Sequence, residues 1–185
     1  CGGKAALVIN APNVTIKNIE FSKIRVKDND GACIRAEKKA SNLTLQNINC
    51  HDSQAGIIAN VMEGKTMLKD STFERNGFSA GAHNVNINSK GSIEILNTKI
   101  LNTMGRGHSL QINAPFMLIN HSEIAALNGN NSRAIDNTDG GELAIKNSTL
   151  QQGINSDNSE LIAFGLGINE NSLIKNSITL ENNRI

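Results

Sequence analysis

The sequence predicts an all-β fold, a single-stranded right-handed parallel β-helix of about seven coils of ~26 residues. Three observations carry it: a self-similar stretch recurs along the whole chain, the residues around each copy alternate with period two, and an asparagine recurs at one register. Period-two alternation belongs to strands, since a helix would repeat at 3.6.

The copies are NVTIKNIEF (13–21), NLTLQNINC (42–50), TMLKDSTF (66–73), SIEILNTKI (92–100), FMLINHSEI (116–124), ELAIKNSTL (142–150) and NSLIKNSIT (171–179). Each carries a polar anchor, in order Asn18, Asn47, Asp70, Asn97, His121, Asn147 and Asn176. Two residues earlier stands an aliphatic residue: Ile16, Leu45, Leu68, Ile95, Ile119, Ile145 and Ile174. Three residues after the anchor come Phe21, Cys50, Phe73, Ile100, Ile124, Leu150 and, as a departure, Thr179. Asn is disfavoured inside strands but tolerates left-handed backbone. The anchor is therefore read as a bend between two short strands, and the stacked anchors as an Asn ladder.

A third strand follows in every coil: AALVI (5–9), ACIRA (32–36), GIIA (56–59), HNVNI (83–87), HSLQI (108–112), RAIDN (133–137) and LIAF (161–164). Coils spaced ~4.8 Å apart would build a rod ~30–35 Å long. No coil closes a core alone, so stability comes from stacking between neighbours. The 185 residues are expected to form one β-helix domain. Neither end carries a capping element in the sequence, so a fragment lacking one or both end caps is expected, with self-association through open solenoid ends.

Bulk composition narrows the partners. Net charge is +1, with no Trp, no Tyr and 5 Phe. Neither a basic footprint nor a stacking platform for bases is present, so nucleic acid is not expected. No stretch approaches the ~20 apolar residues of a membrane span. Cys1, Cys33 and Cys50 are an odd set without metal-type spacing.

With the ladder in place, the chain resembles the pectate-lyase-like superfamily of β-helix proteins. The nearer likeness is to uncharacterised bacterial secreted members, through DNDGACIRAE, NLTLQNINCHDSQAGII, FERNGFSAGAHNV, GRGHSLQI and AIDNTDGGELAIKNSTLQQG. The resemblance implies an extracellular, periplasmic or cell-surface location. It also implies a polysaccharide partner lying across the sheet of third strands. Neither the calcium-binding aspartate cluster of pectate lyases nor the Asp-Pro-His motif of alginate epimerases is evident, so no catalytic residue is carried over.

Candidate residues come from register. With Val85, Leu110 and Ile135 pointing inward, their neighbours should face solvent. Asn84, Asn86, Ser109, Gln111 and Asp136 are then outward, with Cys33 and Arg35 in an earlier coil. His83, His108 and Arg133 recur at intervals of 25 residues, at the first position of their strands. They are expected to form a partly exposed column at the sheet's edge. β-Elimination of a uronate needs a base for the C5 proton and a cation for the carboxylate. His108 or His83 suits the first role, Arg133 or Arg106 the second, and Asp136 an orienting group or acid. Asn84, Asn86, Arg106, Ser109, Gln111 and Arg35 are the substrate-binding candidates. The competing reading makes the histidines rungs that hydrogen-bond loop carbonyls.

Calcium is the cofactor considered, because Asp136, Asp139 and Glu142 crowd the DNTDGGE stretch and hard cations take oxygen ligands. His121 is read as a ladder member and His51–Asp52 as a solvated turn. Two functions stand side by side. One is a carbohydrate-active β-helix that binds, and cleaves or epimerises, an acidic polysaccharide. The other is a non-catalytic structural or adhesion module.

Overall fold

A computed structural model describes residues 4–28, 31–78, 81–168 and 175–185. It is an all-β parallel solenoid of about six turns with ~26 residues per turn, close to the seven coils expected. The third strands form one seven-stranded parallel sheet: Ala5–Ile9, Ala32–Ala36, Ala55–Val61, Val85–Ser89, Leu110–Asn113, Ile135–Asn137 and Ile162–Phe164. The first and second strands of each coil make an eleven-stranded sheet that bends at the anchor. In the first two coils the strand runs through the bend, as Thr15–Ser22 and Leu43–His51. Later coils divide there, for example into Phe116–Asn120 and Glu123–Ala125.

The aliphatic columns stack in register. Ile16, Leu45, Leu68, Ile95, Ile119 and Ile145 follow one another across paired strands, and all six are buried. Leu7, Ile34, Ile57, Val85, Leu110, Ile135 and Ile162 do the same in the third sheet. Each fully buried Leu or Ile contributes about 1.5–3 kcal/mol.

The anchors take the left-handed conformation the bend requires: φ is 58° at Asn18, 51° at Asn47, 52° at Asp70, 47° at Asn97, 50° at His121 and 48° at Asn147. Their side chains link from coil to coil near the surface. Asn47 Nδ2 donates to Asn18 Oδ1 at 2.9 Å and Asn97 Nδ2 to Asp70 Oδ1 at 2.8 Å. Where His121 interrupts the ladder, Asn147 Nδ2 reaches Asn120 Oδ1 instead, at 3.0 Å.

The last anchor differs from the one expected. Ser177–Glu181 pairs with Glu142–Lys146 so that Ile178 meets Leu143 and Leu180 meets Ile145. Asn182, at φ 54°, is therefore the anchor, not Asn176, whose Oδ1 accepts from Gly141 N at 2.9 Å. An aliphatic residue stands two before an Asn in both places, Ile174 before Asn176 and Leu180 before Asn182, but only the later segment puts two aliphatic residues on the core register. Ile174, the aliphatic residue expected there, lies outside the described residues.

A second ladder was not read from the sequence. From Asp70 to Asn147 the residue after the anchor, Ser71, Thr98, Ser122 or Ser148, is a buried hydroxyl. Each donates to the carbonyl two residues earlier, as Ser71 Oγ does to Lys69 O at 2.7 Å. Each also accepts a backbone N–H from the previous coil, as Ser122 Oγ does from Thr98 N at 3.2 Å. The bend removes backbone partners, and the hydroxyl supplies them where water cannot reach.

Cys33 and Cys50 form a disulfide inside the core, with a sequence separation of 17. Cys33 was expected to face outward, but its side chain is fully buried. Cys33 and Ile34 are both buried, so the alternation breaks where the strand begins, and the backbone of two later coils departs from regular pairing at the corresponding place. At the start of the third strands Gly56 N and Ile57 N both donate to Asn84 O, and Ala134 N and Ile135 N both donate to Leu161 O. Two donors on one carbonyl is a bulge, which places two successive residues on the same side of the strand.

Two stability outcomes are expected. Ser122→Ala, which strips both the donor and the acceptor from one bend, should lower unfolding free energy by about 1–3 kcal/mol in urea titration. Reduction of the disulfide should cost about 3 kcal/mol, given a loop of this length, read as the difference between oxidised and reduced protein at neutral pH.

Candidate functional site

The corner where each third strand begins decides what the sheet presents to solvent, because two successive residues are buried there, Asn84 with Val85 and Ser109 with Leu110. Asn84 and Ser109, expected to face outward as substrate-binding residues, are fully buried. Asn84 Nδ2 donates to Phe73 O and Leu101 O, both at 3.1 Å, and its Oδ1 accepts from Asn76 Nδ2 at 2.9 Å. Ser109 Oγ accepts from Thr103 Oγ1 at 3.0 Å and Asn131 Nδ2 at 3.1 Å. Both are corner pieces that satisfy the backbone where the chain enters the sheet. The outward rows begin one residue before them and one after Val85 and Leu110.

The first outward row is the histidine column. The rings of His83 and His108 stack, with centroids 5.0 Å apart and planes 7° from parallel. Close approach of the two coils is permitted by Gly107, where a Cβ would collide with the Ala82 carbonyl oxygen. His108 N donates to His83 Nδ1 at 2.9 Å, so the proton of the neutral His83 ring sits on Nε2.

Arg133 and Asp136 complete the cluster. Asp136 Oδ2 lies 3.1 Å from Arg133 Nη1 and 3.4 Å from His108 Nε2, while Thr138 Oγ1 donates to Asp136 Oδ1 at 2.7 Å. Arg133 Nη2 also donates to Asn158 Oδ1 at 3.3 Å and reaches Glu160 Oε2 at 3.5 Å. The cluster is largely covered: side-chain exposure is 15% for His108, 16% for Arg133 and 8% for Asp136.

Burial dominates the electrostatics. Desolvation, helped by the neighbouring His108, pushes His83 down to about 4. His108 is lowered by desolvation and by Arg133, against the opposing pull of Asp136. Both imidazoles are neutral at neutral pH. With His108 Nε2 directed at Asp136, its remaining nitrogen, Nδ1, is buried without a partner. Neither ring holds out a lone pair to solvent in this arrangement.

The remaining candidates sit apart. Asn86 and Gln111 occupy the second outward row, paired in register with each other and with Asp136, and both are half-buried. Arg35 lies in that row between Val8 and Ile58, about 19 Å from Asp136 at ~4.8 Å per coil. Arg106 is highly exposed and pairs with Asp157 at 3.6 Å. The carboxylates considered for calcium do not converge. Asp136 belongs to the cluster, Asp139 is exposed, and Glu142 pairs with Lys175 at 2.9 Å. Among the described residues no group of three or more His, Cys, Asp or Glu is placed to hold a metal ion.

Two features escaped the sequence reading. His51 lies between Asp52, at 2.6 Å from Nδ1, and Glu20, at 3.0 Å from Nε2. Asp52 is also gripped by Arg75, Nε to Oδ1 at 2.9 Å and Nη2 to Oδ2 at 3.1 Å. His51 is raised by its hydrogen bonds to Asp52 and Glu20, and Asp52 is lowered to about 2 by Arg75 and His51. Asp52 and Arg75 are consecutive left-handed corners, with φ 55° and 51°. The second feature is a cavity of about 350 Å³ along the C-terminal rim of the third sheet.

Comparison with family models, curated proteins and solved structures finds no match for the chain.

The two histidine environments give opposite pH dependences. His83 is depressed in the fold, so between its ordinary value near 6.5 and about 4 the unfolded state takes up the proton first. Stability should fall as pH drops through that window, and His83→Gln should flatten the fall in urea titrations at pH 7 and pH 4.5. His51, raised in the fold, works the other way: its contribution is full below 6.5 and is lost as pH rises through the raised value.

Proposed function

We propose that the protein is a non-catalytic β-helix module that binds an acidic polysaccharide across the outer face of its third-strand sheet. The polar second row of that face, where Asn86 and Gln111 sit in register with Asp136, carries the reading. An extended chain of hydroxyl-rich units suits a surface whose polar groups repeat every ~4.8 Å. The likeness to pectate-lyase-like β-helices suggests the same face. The buried disulfide favours an oxidising compartment, secreted, periplasmic or at the cell surface.

The histidine geometry is what sets binding ahead of cleavage. Elimination would need an imidazole lone pair within reach of the C5 proton. The electrons of that C–H bond would form the C4–C5 double bond as the C4–O bond breaks, and the leaving oxygen would take up a proton. His83 accepts a backbone N–H on Nδ1, and the free nitrogen of His108 is buried. Arg133, the cation proposed for the substrate carboxylate, is already held by Asp136.

An absorbance screen for unsaturated products on alginate, pectate and glycosaminoglycans should show none, while affinity electrophoresis in the same polymers should retard the protein. Gln111→Ala should weaken retardation about fivefold, the worth of one hydrogen bond. Unsaturated product that disappears in His108→Ala would replace this reading with a lyase. Absence of both retardation and product would remove polysaccharide binding altogether.

A further inference from the structure

The cavity at the C-terminal rim of the third sheet lies away from the histidine cluster, at the opposite ends of the same strands. Its floor is a column of amides in register, Asn60, Asn88 and Asn113. They are pre-set by hydrogen bonds: Asn88 Nδ2 donates to Asn86 Oδ1 at 3.0 Å and Asn113 Nδ2 to Asn88 Oδ1 at 2.9 Å. Asp139 N closes the chain on Asn113 Oδ1 at 3.1 Å. Asn60 is exposed and Asn88 half-buried, while Asn113 is buried.

The rim beside this floor alternates in character. From coil to coil it presents Lys38, Met62, Lys90 and Pro115. The backbone fixes that succession, with Met62 N on Lys38 O at 3.3 Å and Lys90 N on Val61 O at 3.0 Å. Lys38 and Lys90 are exposed, and neither is in an ion pair among the described residues. Met62 is 51% exposed, an apolar side chain left on the surface between two cations. Glu37 and Asp139 lie at the two ends of the cavity.

Cations at every second coil, with apolar surface between them, match a polymer whose charge also alternates. Successive coils are ~4.8 Å apart, comparable to the length of one sugar residue. We propose that this trough binds a heteropolysaccharide with a disaccharide repeat, one uronate and one uncharged sugar. The uronate carboxylates lie against Lys38 and Lys90, the apolar ring face of the intervening sugar packs on Met62, and the hydroxyls meet the amide floor. The acidic residues at each end oppose extension of a polyanion, so the trough takes a short segment. The proposal rests on the polysaccharide reading above and names both the repeat and the site.

The test uses the full chain and three sets of oligosaccharides, two to eight residues long, in calorimetric titration. One alternates glucuronate and N-acetylglucosamine, one is uniformly galacturonate, and one is uncharged and β-1,4-linked glucose. The alternating series should bind most tightly, with affinity rising to about the tetrasaccharide, a span of four coils, and then levelling. Lys38→Ala and Lys90→Ala, both exposed and harmless to folding, should each cost about fivefold and together roughly 25-fold. Met62→Ser should lower affinity for every oligomer. Binding that is unchanged in the double lysine variant, or equal for the uncharged series, overturns the trough and leaves polysaccharide binding elsewhere on the sheet intact. Binding of none of the three series overturns both.

Discussion

The structure depends on one constraint: every coil must present to its neighbours the same cross-section of hydrogen-bonding backbone and apolar side chains. A turn of about 26 residues has no core of its own. Its strands are satisfied only through pairs such as Leu45 with Leu68 and Leu110 with Ile135. Wherever the chain bends, that pairing fails locally, and a buried unpaired N–H or C=O costs as much as a lost hydrogen bond. The left-handed anchors and the hydroxyls that follow them answer this cost together. The anchor turns the backbone, and the hydroxyl of the Ser or Thr behind it bonds both its own coil and the previous one.

The same requirement shapes the candidate site. Entry into the third sheet is a second corner, and there Cys33, Asn84 and Ser109 turn inward to close the disulfide and the amide network. Their inward turn brings His83 and His108 out onto the sheet face, where the rings stack on one another. The histidine column is thus a by-product of how the corner is satisfied. Its chemistry follows from this placement: desolvation keeps both rings neutral, and Asp136 and Arg133 neutralise each other beside them. The unpartnered His108 Nδ1 is buried, so the cluster has little to offer a substrate at the surface.

The rim trough is built in the opposite way. Its amides are ordered by bonds among themselves, yet Lys38 and Lys90 are without ion pairs among the described residues and Met62 is half in solvent. Pre-set polar groups beside charge and exposed apolar surface are the features on which the proposed binding rests. The contrast between a closed edge and an open one, on the two ends of the same strands, is what separates the histidines from the binding reading.

The sequence by itself determined the fold. Recurrence of an aliphatic residue two places before an Asn-type anchor, at a spacing of about one coil, leaves a parallel solenoid as the economical way to bury the aliphatic columns. It also placed His83, His108 and Arg133 in one column, because equal spacing means adjacent coils. Only the tertiary structure decided which way side chains point at the corners, since burying two successive residues there, such as Asn84 and Val85, shifts parity by one residue and leaves no mark in the alternation itself. That single shift buried Asn84 and Ser109, paired Cys33 with Cys50, and turned the histidines outward. It was likewise pairing that chose Asn182 over Asn176, because each Asn follows an aliphatic residue by two places and only the later segment sets Ile178 and Leu180 on the core register. The trough was invisible along the chain for the same kind of reason: Lys38, Met62, Lys90 and Pro115 share no motif, and become neighbours only when the coils stack.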